Sequence, residues 1–242
     1  MTNRPANAHR AAPVPSGGAS SARLVGGGTG AARRHRRAVA ASLVAFVIAT
    51  EAVTQTATTF PPCYNPVPNA DALLEPAIAE GYTVVRVNEG LDPETVDRLQ
   101  WILAEPYLVG DTGGETLETI VARANKNARQ LSGITPTAKT AVRVVHSDQT
   151  VAILRWWTDA AGDISVHCSG ALFLGDDFSP PPTTGRYGDF SATPVDTGIP
   201  GLEIVSERFQ LDRAAIRAEL PEATPPHYIM GVQMRYNPEV IQ

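Results

Sequence analysis

Residues 140–174 read TAVRVVHSDQTVAILRWWTDAAGDISVHCSGALFL, and this stretch decides the fold of the chain. It contains three runs rich in β-branched and aromatic residues, at 140–147, 150–157 and 163–174, which are separated by short turn-forming segments. Short turns join antiparallel neighbours, so the sequence predicts a three-strand meander. The middle run, VAILRWW, is apolar on both faces, which is typical of a central strand that is covered on both sides.

Two main helices are predicted on the N-terminal side of the meander. Asp92 followed by Pro93 is a strong helix start, with the acid as N-cap and proline at the first helical position, and Pro106 is predicted to end this helix. A second, amphipathic helix is predicted over about residues 115–131. The remaining predicted elements are a helical stretch at 71–80, strands at 82–88, 202–209 and 228–236, and a short helix that begins at Asp212.

These patterns together predict an α+β domain, in which an antiparallel sheet, made of the meander and further strands, packs on two main helices. Residues 177–200 are rich in proline and glycine and are predicted to form a loop. The order of elements resembles that of cystatin-like or NTF2-like α+β domains. This is a resemblance of topology alone, and it assigns no role to any residue.

The charge of the chain is divided unevenly along its length. Residues 1–50 contain seven arginines and no acidic residue, whereas residues 51–242 contain 13 basic and 25 acidic residues, a charge of −12. An acidic body offers no basic stripe for phosphates, so nucleic acid is not an expected partner. Residues 1–37 are rich in Ala, Gly, Pro and Arg and are predicted to be a disordered basic tail.

Residues 38–60 follow an arginine cluster and begin with thirteen uncharged residues, AVAASLVAFVIAT. A basic region followed by an apolar one is typical of a signal peptide. Thirteen residues rise only about 20 Å as a helix, short of a bilayer core of roughly 30 Å, but extension to Phe60 reaches spanning length. The segment is therefore either a signal peptide or a single transmembrane anchor, and both place residues 61–242 outside the cytoplasm.

The two cysteines of the chain are Cys63 and Cys168. In an oxidising compartment they can pair only with each other within the chain, so we predict a disulfide between them. The alternative is a catalytic thiolate, which needs a reducing compartment and a base beside it.

Candidate site residues follow from the register of the meander. If Ser147 faces Thr150 and Trp157 faces Ile164, the side chains can be sorted by face, because successive residues of a strand point to opposite sides. That register predicts that His146 lies on the face where the helices pack. The four residues predicted to share the other face are Arg143, Trp156, Ser165 and His167.

This polar and aromatic face predicts a shallow site for an anionic or sugar-like ligand, although a solvated or covered sheet face explains the same pattern. Because His146 and His167 are expected on opposite faces, they are not expected to share a metal ion. No cofactor is predicted. The chain also lacks the G-x-S-x-G, P-loop, G-x-G-x-x-G and H-E-x-x-H motifs.

The sequence therefore favours an exported or membrane-anchored cell-envelope protein whose acidic α+β domain is a binding module. The expected partner is another envelope protein, and contact with the membrane is expected through residues 38–60 if they are not cleaved. The alternative is a small extracytoplasmic hydrolase or ligand-modifying enzyme with a site around His167.

Overall fold

The computed structural model of the chain describes residues 63–110, 113–175 and 177–241. The tail at 1–37 and the segment at 38–60 lie outside these residues, so what the sequence indicates about them stays a prediction. Across the described ranges, no helix combines the length and the apolar character that a membrane span requires.

The described residues form an α+β domain, as predicted, with a seven-stranded sheet in which every neighbouring pair is antiparallel. The strands are β1 Thr83–Val84, β2 Thr140–His146, β3 Thr150–Thr158, β4 Ile164–Leu172, β5 Gly188–Val195, β6 Leu202–Leu211 and β7 Tyr228–Tyr236. The helices are α1 Leu74–Ala79, α2 Pro93–Val109, α3 Leu117–Ala128 and α4 Arg213–Glu219. The strand order is β1-β2-β3-β4-β7-β6-β5, so β4 lies in the middle of the sheet.

Helix α2 begins where the sequence predicts but ends later. The Asp92 carboxylate accepts a hydrogen bond from the Thr95 N–H at 2.8 Å and caps the helix. Pro106 removes one helical hydrogen bond, yet the helix continues to Val109. Leu108 lies in this last turn and is buried in the same cluster as Phe209, and this packing outweighs the lost bond.

The predicted loop at 177–200 contains an edge strand, β5, so that prediction is wrong in its central part. Pro194 is tolerated because an edge strand leaves one row of backbone groups unpaired. Gly188 starts the strand with a φ of 144°, and a side chain there would run into the carbonyl oxygen of Gln210. The sequence signal of this strand is masked by the proline and glycine residues that make its position at the edge possible.

The register of the meander is as predicted in the first hairpin and one residue different in the second. His146 pairs with Val151, but Ile164 pairs with Thr158 and not with Trp157. The cause is the turn between β3 and β4, which is built on Asp159. Its carboxylate accepts hydrogen bonds from the N–H groups of Ala161 and Asp163 at 2.8 and 3.1 Å. Gly162 takes a φ of 92°, and the shift moves every side chain of β4 to the opposite face relative to β3.

One face of the sheet, here called the disulfide face, is covered by the segment that follows Cys63. Cys63 is bonded to Cys168 of β4, with the two Cα atoms 6.2 Å apart. Val67 is buried in the same cluster, and its N–H donates to the Tyr236 hydroxyl at 3.0 Å. The other face, here called the helical face, packs against α2 and α3.

Candidate functional site

The four predicted ligand-binding residues do not share a face. Arg143 and Trp156 lie on the disulfide face, since they align with Leu154 and Val166, whereas Ser165 and His167 lie on the helical face. The one-residue shift at the Asp159 turn separates the two pairs. The predicted shallow site is therefore not assembled.

Arg143 and Trp156 have structural surroundings. The Arg143 guanidinium donates to the Val142 carbonyl and to the Asp71 carboxylate, both at 3.2 Å. Trp156 is 7% exposed and belongs to the core of the disulfide face. Both side chains contribute to the way the segment after Cys63 packs on the sheet.

The prediction that His146 and His167 lie on opposite faces is also wrong. His167 aligns with Arg155, which aligns with Val142, and His146 is four residues from Val142 on the same side of β2. Four residues of a strand span about 13 Å, so the two imidazoles do not meet although they share the face. No set of three metal-ligating side chains assembles anywhere in the described ranges.

The helical face is covered unevenly by the helices. The buried residues of α2 pack on two cross-strand rows, of which Ile153 and Val151 are the members in β3. Two further rows extend beyond them, and we call these two rows the open half. Its members are Val142, Arg155, His167, Gln233 and Val205 in one row, and Trp157, Ser165, Arg235 and Glu203 in the other.

His167 is held in the open half by a polar cluster. Its Nε2 atom lies 3.1 Å from the Ser169 hydroxyl and 3.6 Å from Oε2 of Glu207. Glu207 also accepts a hydrogen bond from the Gln233 amide at 2.7 Å. Gly231 leaves room for this carboxylate, because a Cβ atom there would lie 2.9 Å from Oε2 of Glu207.

Two further charged groups lie at the border between the open half and α2. Burial raises the pKa of Glu105 to about 7, with a smaller contribution from the negative charge of Glu207 and an opposing one from Arg155. Burial likewise lowers the pKa of the Arg155 guanidinium, and the charge of Glu105 acts against this. A carboxyl group that titrates near neutral pH, a guanidinium and an imidazole thus lie on one surface.

This arrangement does not have the geometry of a hydrolase triad. In such a triad the imidazole lies between the hydroxyl and the acid, with one on each ring nitrogen. Here Ser169 and Glu207 both approach Nε2 of His167, and Ser169 is only 4% exposed. The cluster is suited to holding His167 in one orientation rather than to activating a nucleophile.

The cavities of the domain lie mainly elsewhere. One of about 650 Å³ opens beside the first turns of α2, where Asp97, Asp148 and Glu222 line it together with Arg98. Arg98 is engaged, since it donates to the carbonyls of Ser147 and Asp148 at 3.2 and 2.9 Å. A second, of about 380 Å³, lies between the prolines at 180–182 and α4.

Sequence reasoning missed Arg155, Glu105 and Glu207. A usable signal exists for the first two, because Arg155 interrupts the apolar run VAILRWW and Glu105 interrupts WILAEPYL. A charge inside a buried stretch is uncommon unless it is paired or functional. Glu207 has no such signal, since it lies in the polar run Ser206, Glu207 and Arg208, where a charged residue is ordinary.

Comparison with known proteins finds no matching family, no similar curated protein and no similar solved structure. The resemblance to cystatin-like or NTF2-like domains therefore stays a prediction. The Cys63–Cys168 disulfide is compatible with an extracytoplasmic protein, because disulfides persist in oxidising compartments.

Proposed function

We propose that this chain is an exported or membrane-anchored cell-envelope protein and that its acidic domain binds another envelope protein through the open half. The disulfide between Cys63 and Cys168 carries the first part of the proposal. It joins residues that are 105 positions apart, and both cysteines are fully buried, so the bond belongs to the folded core.

The charge distribution supports the same location. The basic leader of residues 1–37 and the acidic domain have opposite signs, and positive segments are retained on the cytoplasmic side during export. The binding role is supported by the open half, where Trp157 is 39% exposed on a sheet face that the helices leave uncovered. The arrangement around His167 favours binding over hydrolysis, because Ser169 and Glu207 approach the same ring nitrogen.

Peptide mapping tests the location. The native protein, isolated from its own cells with free thiols alkylated, should yield a Cys63–Cys168 peptide that disappears on reduction. Replacing Arg36 and Arg37 by glutamine should reduce the membrane and extracytoplasmic fractions of the protein. Two alkylated thiols in the mature protein, or unchanged fractionation of the double variant, would contradict export.

Photocrosslinking in intact cells tests the binding role. A photoreactive amino acid in place of Trp157 should give one defined crosslinked species that contains an envelope protein. The matched control position is Ile134, which is 40% exposed but lies between α3 and β2. A species formed equally from both positions, or from neither, would contradict a partner at the open half.

A further inference from the structure

Arg155 is the feature of the open half that the fold does not explain. It lies in β3, near the middle of the sheet, and its side chain is half-buried. Within residues 63–110, 113–175 and 177–241, no hydrogen bond or ion pair engages its guanidinium. By contrast, Arg143 pairs with Asp71, and Arg235, in the neighbouring row, pairs with Asp159 and Asp163.

A half-buried guanidinium without a close partner is unfavourable, because burial removes water that its five N–H donors would otherwise engage. The neighbouring acids do not relieve this. Glu207 is already engaged by Gln233 and His167. Glu105 acts on Arg155 only through its charge, and that carboxyl is partly protonated at neutral pH because its pKa is about 7.

The side chains around Arg155 indicate which kind of group could bind to its guanidinium. Trp157 is two residues along the same strand and therefore points to the same face, about 7 Å away along the strand. Val142 and Val205 belong to the same cross-strand row as Arg155. Val142 is next to Arg155 in this row, whereas Val205 lies three strands away, so the apolar neighbours of the guanidinium are the exposed indole of Trp157 and the side chain of Val142.

We infer that the open half recognises a partner segment that presents a carboxylate to Arg155 and an adjacent apolar side chain to Trp157. The planar guanidinium matches a carboxylate with two parallel hydrogen bonds, which gives the contact its orientation. A single carboxylate fits better than an acidic tract, because residues 51–242 carry a charge of −12 and repel a highly charged segment. The inference names the chemistry of the partner in the proposed function and rests on that function.

Calorimetric titration of the purified full-length chain with small mimics of such a segment tests the inference. N-acetylphenylalanine carries both groups, its amide lacks the carboxylate, acetate lacks the aromatic ring, and inorganic phosphate is a differently shaped anion. We expect N-acetylphenylalanine to bind at least tenfold more tightly than each of the other three. A micelle blank corrects for partition of the probe into detergent.

Three variants locate the site. Arg155→Gln should weaken binding of N-acetylphenylalanine at least tenfold, and Trp157→Ala should remove its advantage over acetate. Arg186→Gln, which changes an arginine outside the open half that is already paired with Glu219, should bind as the wild-type chain does. Circular dichroism of each variant confirms that the sheet is intact.

If Arg155→Gln binds N-acetylphenylalanine as tightly as the wild-type chain does, the inference is overturned. It is also overturned if the wild-type chain binds N-acetylphenylalanine and inorganic phosphate equally tightly. Absence of binding by the wild-type chain would overturn it as well, while a defined photocrosslink at position 157 would leave the proposed function standing. Binding of the probe without any crosslink in cells would instead assign the site to a free organic acid and overturn the partner segment.

Discussion

The Glu105→Gln variant is expected to be more stable than the wild-type chain at pH 8 and to lose this advantage in acid. Burial raises the pKa of Glu105 from its ordinary value of 4.5 to about 7. The folded chain therefore holds this proton more tightly than the unfolded chain. Its stability falls as the pH rises above 4.5, and the loss is complete once the pH exceeds the folded-state pKa.

The size of the effect follows from the difference between the two pKa values. A difference of about 2.5, from 4.5 to about 7, corresponds to about 3 kcal/mol of unfolding free energy. This value already includes the charges that act on the carboxyl, namely Glu207 from β6 and Arg155 from β3. Glutamine keeps the size of the side chain and removes the ionisation, so the variant should not show this loss.

Urea denaturation followed by circular dichroism at pH 5, 6, 7 and 8 measures the difference. The difference between the variant and the wild-type chain should be small at pH 5, grow up to about pH 7 and level off by pH 8. Glu203→Gln, which removes an exposed carboxylate from the open half, shows what the loss of one negative charge does by itself. A stability difference between Glu105→Gln and the wild-type chain that stays constant across this range would refute the reasoning.

Three further predictions concern the scaffold. Reduction of the Cys63–Cys168 disulfide, which joins residues 105 positions apart, should lower the unfolding free energy by about 4–5 kcal/mol. Urea denaturation with and without reductant measures this difference, and a value below about 1 kcal/mol would contradict the prediction. Gly188→Ala should destabilise the domain by about 3 kcal/mol or more in the same assay, because its positive φ and the nearby carbonyl exclude a side chain. Gly133→Ala, where no atom lies within 4 Å of the added Cβ, is its control and should change little. Asp92→Ala should remove the N-cap of α2, cost about 1 kcal/mol and speed amide exchange in the first turn of that helix only.

Most strands and helices could be predicted because their signals are local. The meander, the N-terminus of α2 and strand β7 each carry a periodicity or a cap that a short window of sequence contains. Strand β5 could not, because its position at the edge of the sheet is decided by pairing with β6. The end of α2 could not be predicted for a similar reason, since the burial of Leu108 depends on distant residues.

The turn between β3 and β4 decides which residues of the candidate site share a face of the sheet. The residue types predicted for the site, an arginine, a tryptophan and His167, do occur together, but the arginine and tryptophan are Arg155 and Trp157 instead of Arg143 and Trp156. The difference arises at Asp159, whose side chain selects a turn one residue shorter than the assumed one. Glu105 joins them through the packing of α2 over the sheet, which no local pattern encodes.

The position of the disulfide has a mechanical consequence. Cys63 is close to the N-terminal end of the domain, whereas Cys168 lies in β4, with three strands on each side of it. Tension applied to the chain before residue 63 would therefore pass through the sulfur bridge directly into the middle strand. The 104 residues between the two cysteines would carry no load. Force applied from the N-terminal side could therefore not unfold β1 and β2 sequentially from the edge of the sheet.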